Sequence, residues 1–527
     1  ADETSDRLEA MQAQIETLQE ELATLKTANN ITEDEEADET DEQVSDEDEE
    51  EEDDEEADDG DETEERLTDL EDQVSEINRN TAGSHLKFGV DFRTAVDNLQ
   101  YKMAGKAYVK DQGFVGKDTQ SNDAFMTNRL WINMNWKATD NISFTGQLAY
   151  NKAYGYRSGF NGGYPGFETF DWITNENAYD DTVRVRSAYF FLRNDEMFGA
   201  ALPWTFSIGR RPSTNGHLIN LRDDDHAASP MGHNINVEFD GASAKIGFED
   251  VTGIEGMYVK FCAGRGGTNA NAKFFTVDQT GTPSVAAPYA KNSADIPDID
   301  LIGAIFVPYD DGQYSVGTQY YYAANLIDAD MGTNPQQPTF NGMTDVGNMH
   351  ALTANFAING IGDEWSDFLD DTIFFISGAW SITDPKKDGQ GMLGTTDSKT
   401  GSSYWIGLQT PSGFSEMGRF GLEYNHGDKY WRSITYAEDT NIGSKVAARG
   451  NAFEAYYTDY LIEDVFSFQI RYTYIDYDYS GSNGFFGSAT GTPYKISDLQ
   501  NNPQMAGLAS VTVDKAQDIR FYLRYRY

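Results

Sequence analysis

From residue 85 to residue 527 apolar and polar side chains alternate in segment after segment, and the connections between segments are alternately short and long. Side chains on a strand point to opposite faces in turn, so a period of two marks a strand with one apolar face. "LKFGVDFRTAV" puts Leu86, Phe88, Val90 and Phe92 on one face, with Lys87, Asp91 and Arg93 on the other. "FSFQIRYTY" sets Phe466, Phe468, Ile470, Tyr472 and Tyr474 against Ser467, Gln469, Arg471 and Thr473. The strands expected in the first half are 86–99, 125–138, 141–153, 182–193, 203–210, 236–248, 252–263 and 300–309. Those of the second half are 313–324, 349–359, 371–381, 402–410, 417–426, 451–460, 465–477 and 517–527. A soluble sandwich alternates along its strands too, but has no reason to keep a short–long rhythm of connections. A transmembrane barrel has one, with tight turns on the periplasmic side and long loops outside.

The fold class expected for 85–527 is therefore an all-β transmembrane antiparallel barrel of about 16 strands (14–18), with eight long external loops. The range stays open because "KYWRSITY" around 430–437 reads as one more extended segment. An even count returns both chain ends to the periplasmic side and lets the last strand close against the first. The closing stretch "DIRFYLRYRY" suits that seam: Ile519, Phe521, Leu523, Tyr525 and Tyr527 share one face, and Arg520, Arg524 and Arg526 share the other. No run of 18 apolar residues occurs, so no transmembrane helix is expected, and barrel strands would not produce such a run. Trp131, Trp136, Tyr150, Tyr189, Trp204, Trp380, Tyr404, Trp405 and Tyr527 lie near strand ends and are expected as aromatic girdles at the two interfaces.

The first 84 residues are of another kind. They hold 36 acidic and 4 basic residues, most of the chain's net charge of −49. The seam Leu8, Met11, Ile15, Leu18, Leu22 and Leu25 predicts a coiled-coil segment over 1–30, and Leu67, Leu70, Val74 and Ile77 predict a second heptad segment over 66–84. Between them, 31–65 carries 25 acidic residues and no basic one, which predicts an acidic, disordered spacer. That spacer is either a solvated linker or a weak Ca²⁺ or Mg²⁺ reservoir, since hard cations favour carboxylate oxygen. No cofactor is expected otherwise. Basic patches of the nucleic-acid kind are absent, so no nucleic-acid partner is expected. Cys262, the single cysteine, excludes an internal disulfide framework and reads as a small wall residue.

Placing the apolar faces toward lipid turns the polar faces into a lumen. Its basic residues are Lys87, Arg93, Arg129, Lys137, Arg184, Arg186, Arg211, Arg471, Arg520, Arg524 and Arg526, most on strands that become neighbours when the barrel closes. The third long loop, 211–235, holds Asp223, Asp224 and Asp225 and the histidines His217, His226 and His233. His226 and His233 are weak metal candidates, because their spacing matches no known site. The six histidines, with no G-x-S-x-G at a strand end, make an enzyme unexpected.

With this loop the chain resembles the trimeric sixteen-stranded bacterial porins. "FSIGRRPSTNG" and the coiled coil look like those of a less-characterised proteobacterial porin-like group. The resemblance implies that loop 211–235 enters the barrel and that Asp223–Asp225 form the acidic side of a pore constriction. The basic side would be Arg93, Arg129, Arg184 and Arg186, joined on the pore wall by Lys87, Arg471, Arg520 and Arg524. It also implies a homotrimer in a Gram-negative outer membrane, in contact with lipid bilayer and lipopolysaccharide, its N- and C-termini periplasmic. Tyr527 resembles the terminal aromatic signal of outer-membrane proteins. The function expected is a porin, passing small hydrophilic solutes or ions through that charged eyelet. The alternative is a loop-plugged barrel acting as a tether through the acidic coiled-coil stalk, with a periplasmic or peptidoglycan contact. The acidic insert departs from common porins.

Overall fold

A computed structural model describes residues 87–155, 183–270, 276–277, 283–284, 291, 296–330, 342–362, 365–435, 438–481 and 491–527. The coiled-coil segments at 1–30 and 66–84 and the acidic spacer 31–65 lie outside the described residues. Sixteen antiparallel strands close into a barrel in which each strand pairs with its sequence neighbours and the last with the first. They are β1 (Lys87–Met103), β2 (Thr119–Thr139), β3 (Ile142–Ala153), β4 (Arg184–Asn194), β5 (Trp204–Arg211), β6 (Phe239–Gly247), β7 (Tyr258–Gly267) and β8 (Ile299–Asp310). The circuit continues through β9 (Tyr314–Ala329), β10 (Met343–Asn359), β11 (Ile373–Pro385), β12 (Thr400–Pro411), β13 (Arg419–Gly427), β14 (Gly450–Ile462), β15 (Phe466–Tyr477) and β16 (Val513–Arg526). Closure removes every free strand edge, so the spanning backbone is satisfied within the sheet. At the seam Asp91 lies opposite Arg526 and Asp97 opposite Arg520. Val90 and Tyr527 exchange backbone hydrogen bonds of 2.7 and 2.8 Å.

All sixteen expected segments are strands, and their alternation assigns the faces. Phe88, Phe190, Ile302, Leu422 and Ile519 are more than half exposed and form the outer, lipid-compatible surface. Asp91, Arg93, Ser207, Thr353, Gln469 and Arg520 face inward and are buried. Two corrections concern boundaries. β7 begins at Tyr258 rather than 252, because Glu249–Thr252 forms a helical turn ended by left-handed Gly253. β2, β9, β10 and β16 run several residues further toward the long loops than expected. Beyond the hydrocarbon a strand needs no apolar face, so polar stretches such as "TQSND" keep the ladder without the alternation. The connection 330–342 is consequently no longer than the turn 360–372. A third correction concerns the girdles. Trp136, Trp380, Tyr404 and Tyr527 are exposed, but Trp131 and Trp405 are buried. Both stand on the inward parity of their strands, where the polar lumen supplies stacking cations and a hydrogen-bond acceptor.

Two loops fill the inside. Residues 212–238, between β5 and β6, and 428–449, between β13 and β14, bury most of their side chains. They meet in a short parallel ladder pairing Ile235 with Ile434 and Asn236 with Thr435. The segment around 430–437 is therefore lumen-filling loop, not a seventeenth barrel strand. Trp431, Ile434, Ile442 and Val446 anchor this second loop with almost no exposed surface.

Candidate functional site

The first inserted loop is shaped by its own sequence. At Gly216 an added Cβ would lie 1.8 Å from the Pro230 carbonyl oxygen, so only glycine fits. A single helical turn, Ile219–Arg222, follows. Leu218 and Ile219 pack against Phe375, Trp405 and Val446, which docks that turn against the wall. Asn220 then accepts backbone hydrogen bonds from Asp223 and Asp225 at 3.2 and 3.1 Å, and its amide donates to the Asp225 carbonyl at 2.8 Å. The three aspartates are thereby presented to β16.

Asp225 pairs with Arg524 at 2.8 Å and with Arg526 at 3.1 Å. Asp224 accepts a hydrogen bond from the Tyr460 hydroxyl at 2.5 Å. The Asp223 carbonyl accepts from Arg524 at 2.9 Å, and its carboxylate accepts from Tyr522 at 3.3 Å. Burial alone would raise the Asp223 carboxyl, but Arg222, Arg471 and Arg93 hold it below the usual carboxylate range.

The second loop carries an acid of its own into the cations. Asp439 takes both terminal nitrogens of Arg93, at 2.5 and 2.6 Å, and one of Arg520 at 3.1 Å. Its carbonyl accepts from Arg471 at 2.6 Å and from Arg520 at 2.9 Å. Burial would push this carboxyl up, yet Arg93, Arg520 and Arg471 hold it well below its ordinary value. Deeper in the same network Lys445 bridges Glu423, at 2.6 Å, and Glu454. Arg222 reaches Glu454 at 3.2 Å and the Glu438 carbonyl at 2.6 Å.

The candidate pore-wall residues occupy three kinds of place. Arg93, Arg471, Arg520 and Arg524 gather in the buried network on β15, β16 and β1. Arg524 also binds Asp91 on β1, and Arg520 binds Asp97. Arg129 and Arg186 form a neighbouring group, their guanidinium groups 3.6 and 4.2 Å from the Trp131 ring. Lys87 and Arg184 lie exposed at strand ends. Lys137 is exposed too and pairs with Asp140 in the adjoining turn at 2.7 Å.

His226 and His233 do not come together. His226 is exposed, whereas His233 is buried where the two loops meet the wall. Its ring nitrogens meet the hydroxyls of Ser377 and Ser403 at 2.8 and 3.0 Å, and Trp405 and Trp431 flank it at 5.7 Å each. Burial pushes this imidazole down to about 3. Among the described residues no group of three metal-ligating side chains is found.

Sequence reasoning missed the acids that neutralise the wall. Asp91 and Asp97 share the parity of Arg93, and Glu423 and Glu454 point inward from β13 and β14, so strand parity could have found them. Loop 428–449 had a weaker signal: Trp431, Ile434, Ile442 and Val446 are more apolar side chains than a solvated loop needs. Beside the tip of the first loop a cavity of about 300 Å³ remains, lined by Asn220, Asp224, Asp225, Asp371, Gln409 and Arg419.

Residues 119–527 match a family described as "Protein of unknown function (DUF3373)". No curated protein matches the chain. Among solved structures it is similar to OmpT, an outer membrane protein of Vibrio cholerae in a trimer form, at 11% identity and a TM-score of 0.42, over 84% of this chain and 99% of that one. It is also similar to an anion-selective porin from Comamonas acidovorans, at 10% identity and a TM-score of 0.43, over 84% and 99%. For OprB of Pseudomonas putida the figures are 12% identity and a TM-score of 0.41, over 86% and 96%.

Proposed function

The chain belongs to the DUF3373 family, and from that premise we propose that it is an outer-membrane channel for small hydrophilic solutes or ions, constricted by two inserted loops. The observation that carries this reading is the closed barrel with an apolar outer face and a charged, loop-bearing interior. A soluble protein would have no use for outward Phe88, Ile302 and Leu422 around such an interior.

In this account the constriction is amphoteric. Asp224 and Asp225 line the remaining cavity with Asp371, and Arg419 stands among them. Solutes are screened by size and by their fit to that field. Arginine suits the opposite wall because it keeps its charge at any working pH. In the membrane the protein would be a non-enzymatic homotrimer, with lipid and lipopolysaccharide around it and both termini periplasmic. The N-terminal heptads and acidic run would then extend into the periplasm, where the acids could hold Ca²⁺ or Mg²⁺ weakly.

Purified full-length protein in a planar bilayer tests the reading. Discrete conductance steps are expected. A tethering barrel permanently plugged by its loops would give none.

A further inference from the structure

The contacts of Asp439 are those of a bound ligand rather than of a structural ion pair. Three guanidinium groups from three adjacent wall strands, Arg93 on β1, Arg520 on β16 and Arg471 on β15, converge on one residue of an inserted loop. All three arginines are nearly inaccessible, at 4%, 1% and 1% exposure. The Arg93 fork grips both carboxylate oxygens, the bidentate geometry by which arginine recognises free carboxylates and phosphates. The wall also has a different claim on each arginine. Arg520 has Asp97 at 2.5 Å, and Arg471 has Glu454 at 3.9 Å, but among the described residues Arg93 forms its ion pair with Asp439 alone. The loop, moreover, adopts a left-handed backbone at Asp439, φ 54°, to deliver the carboxylate. Aspartate is among the few non-glycine residues that adopt that region readily.

We propose that Arg93, Arg471 and Arg520 form a binding site for oxyanionic solutes bearing a carboxylate or phosphate, and that Asp439 is its built-in occupant. A solute anion competes with the Asp439 carboxylate and, on binding, frees Asp439 and Thr440 from the wall. Asp439 leaves while the wall keeps its arginines, so the site it vacates carries the charge of Arg93, Arg471 and Arg520. The displacement is confined to the stretch at Asp439, because Trp431, Ile434, Ile442 and Val446 keep the rest of the loop packed. This inference deepens the channel reading and rests on it for the permeant class. The binding site itself does not need conduction.

The test is calorimetric titration of the full-length protein in detergent micelles with inorganic phosphate, and separately with acetate, at matched ionic strength in chloride. Removing the internal competitor in Asp439→Ala should tighten phosphate binding roughly tenfold or more over wild type. Adding Arg93→Gln to that variant should abolish the gain. A correctly folded Asp439→Ala protein that binds phosphate no tighter than wild type would overturn the proposal, as would a gain that survives Arg93→Gln. Should Asp439→Ala fail to fold, Thr440→Cys in a Cys262→Ser background gives a second readout. Thr440 is buried, and phosphate should speed its labelling by a water-soluble maleimide, whereas an unchanged rate refutes loop displacement. Bilayer recordings on the same preparations separate the two ideas. Phosphate binding without conductance steps sinks the channel reading alone, and steps without phosphate binding sink this site alone.

Discussion

Acidification should loosen the loop packing through one residue, His233. The imidazole is 1% exposed, held between Ser377, Ser403 and Asn425 and flanked by Trp405 and Trp431. Glu423 and Lys445, which both contact the flanking Trp405, pair with each other at 2.6 Å. The ring's hydrogen-bond partners among the described residues are neutral, so burial holds its pKa at about 3, against 6.5 when unfolded. The folded protein therefore stays unprotonated at this site while the unfolded chain takes up a proton below pH 6.5. Stability is lost as pH falls through the window from 6.5 to about 3, and is fully present above it. At about 1.4 kcal/mol per unit, two pH units below 6.5 cost about 2.7 kcal/mol. The measurement is urea unfolding in detergent micelles at pH 7.5 and 4.5, for wild type and for His233→Gln, which keeps a hydrogen-bonding side chain but cannot titrate. The stability of wild type relative to the variant should fall by about 2.7 kcal/mol between the two pH values. A difference independent of pH would refute the reasoning, because every other titrating group is common to both proteins.

Glu454→Gln should destabilise the packed lumen by about 3–5 kcal/mol, since Lys445, Arg222 and Arg471 would lose a shared buried carboxylate; the urea midpoint checks it. Replacing Asp223, Asp224 and Asp225 together by Asn removes loop acids from Arg524 and Arg526 while Asp91 stays on Arg524, so reversal potentials under a salt gradient should move toward anion selectivity. An unchanged reversal potential would remove these acids from the ion path.

Strand parity made the barrel legible. Once Phe88, Val90 and Phe92 face lipid, Asp91 and Arg93 must face inward, and the same parity at Arg520 and Arg524 foretells a charged seam. The same rule places Trp131 and Trp405 inside. Their assignment to the girdles followed residue type rather than face, which is why it failed. Loop insertion was less readable, because no periodicity tells a loop folded into a lumen from one in solvent. For the loop at 211–235 the porin resemblance, not periodicity, implies the insertion, and Asp225 there meets Arg524 and Arg526. For 428–449 the decisive residues, Asp439 and Lys445, are ordinary loop residues in sequence and acquire their meaning only from Arg93, Arg520, Glu423 and Glu454, none of them within the loop. Strand ends were blurred for a related reason: outside the apolar band the ladder persists without alternation, as in Thr119–Asp123.

The central claim is that this barrel conducts and that its inserted loops set the size of the path. Single-channel conductance of wild type, compared with a chain in which residues 431–447 are replaced by a short Gly-Ser linker, tests it most directly. Discrete steps are expected in wild type and larger ones in the shortened chain. Equal steps in the two proteins would contradict the role of the loop, and no steps in either would contradict the channel.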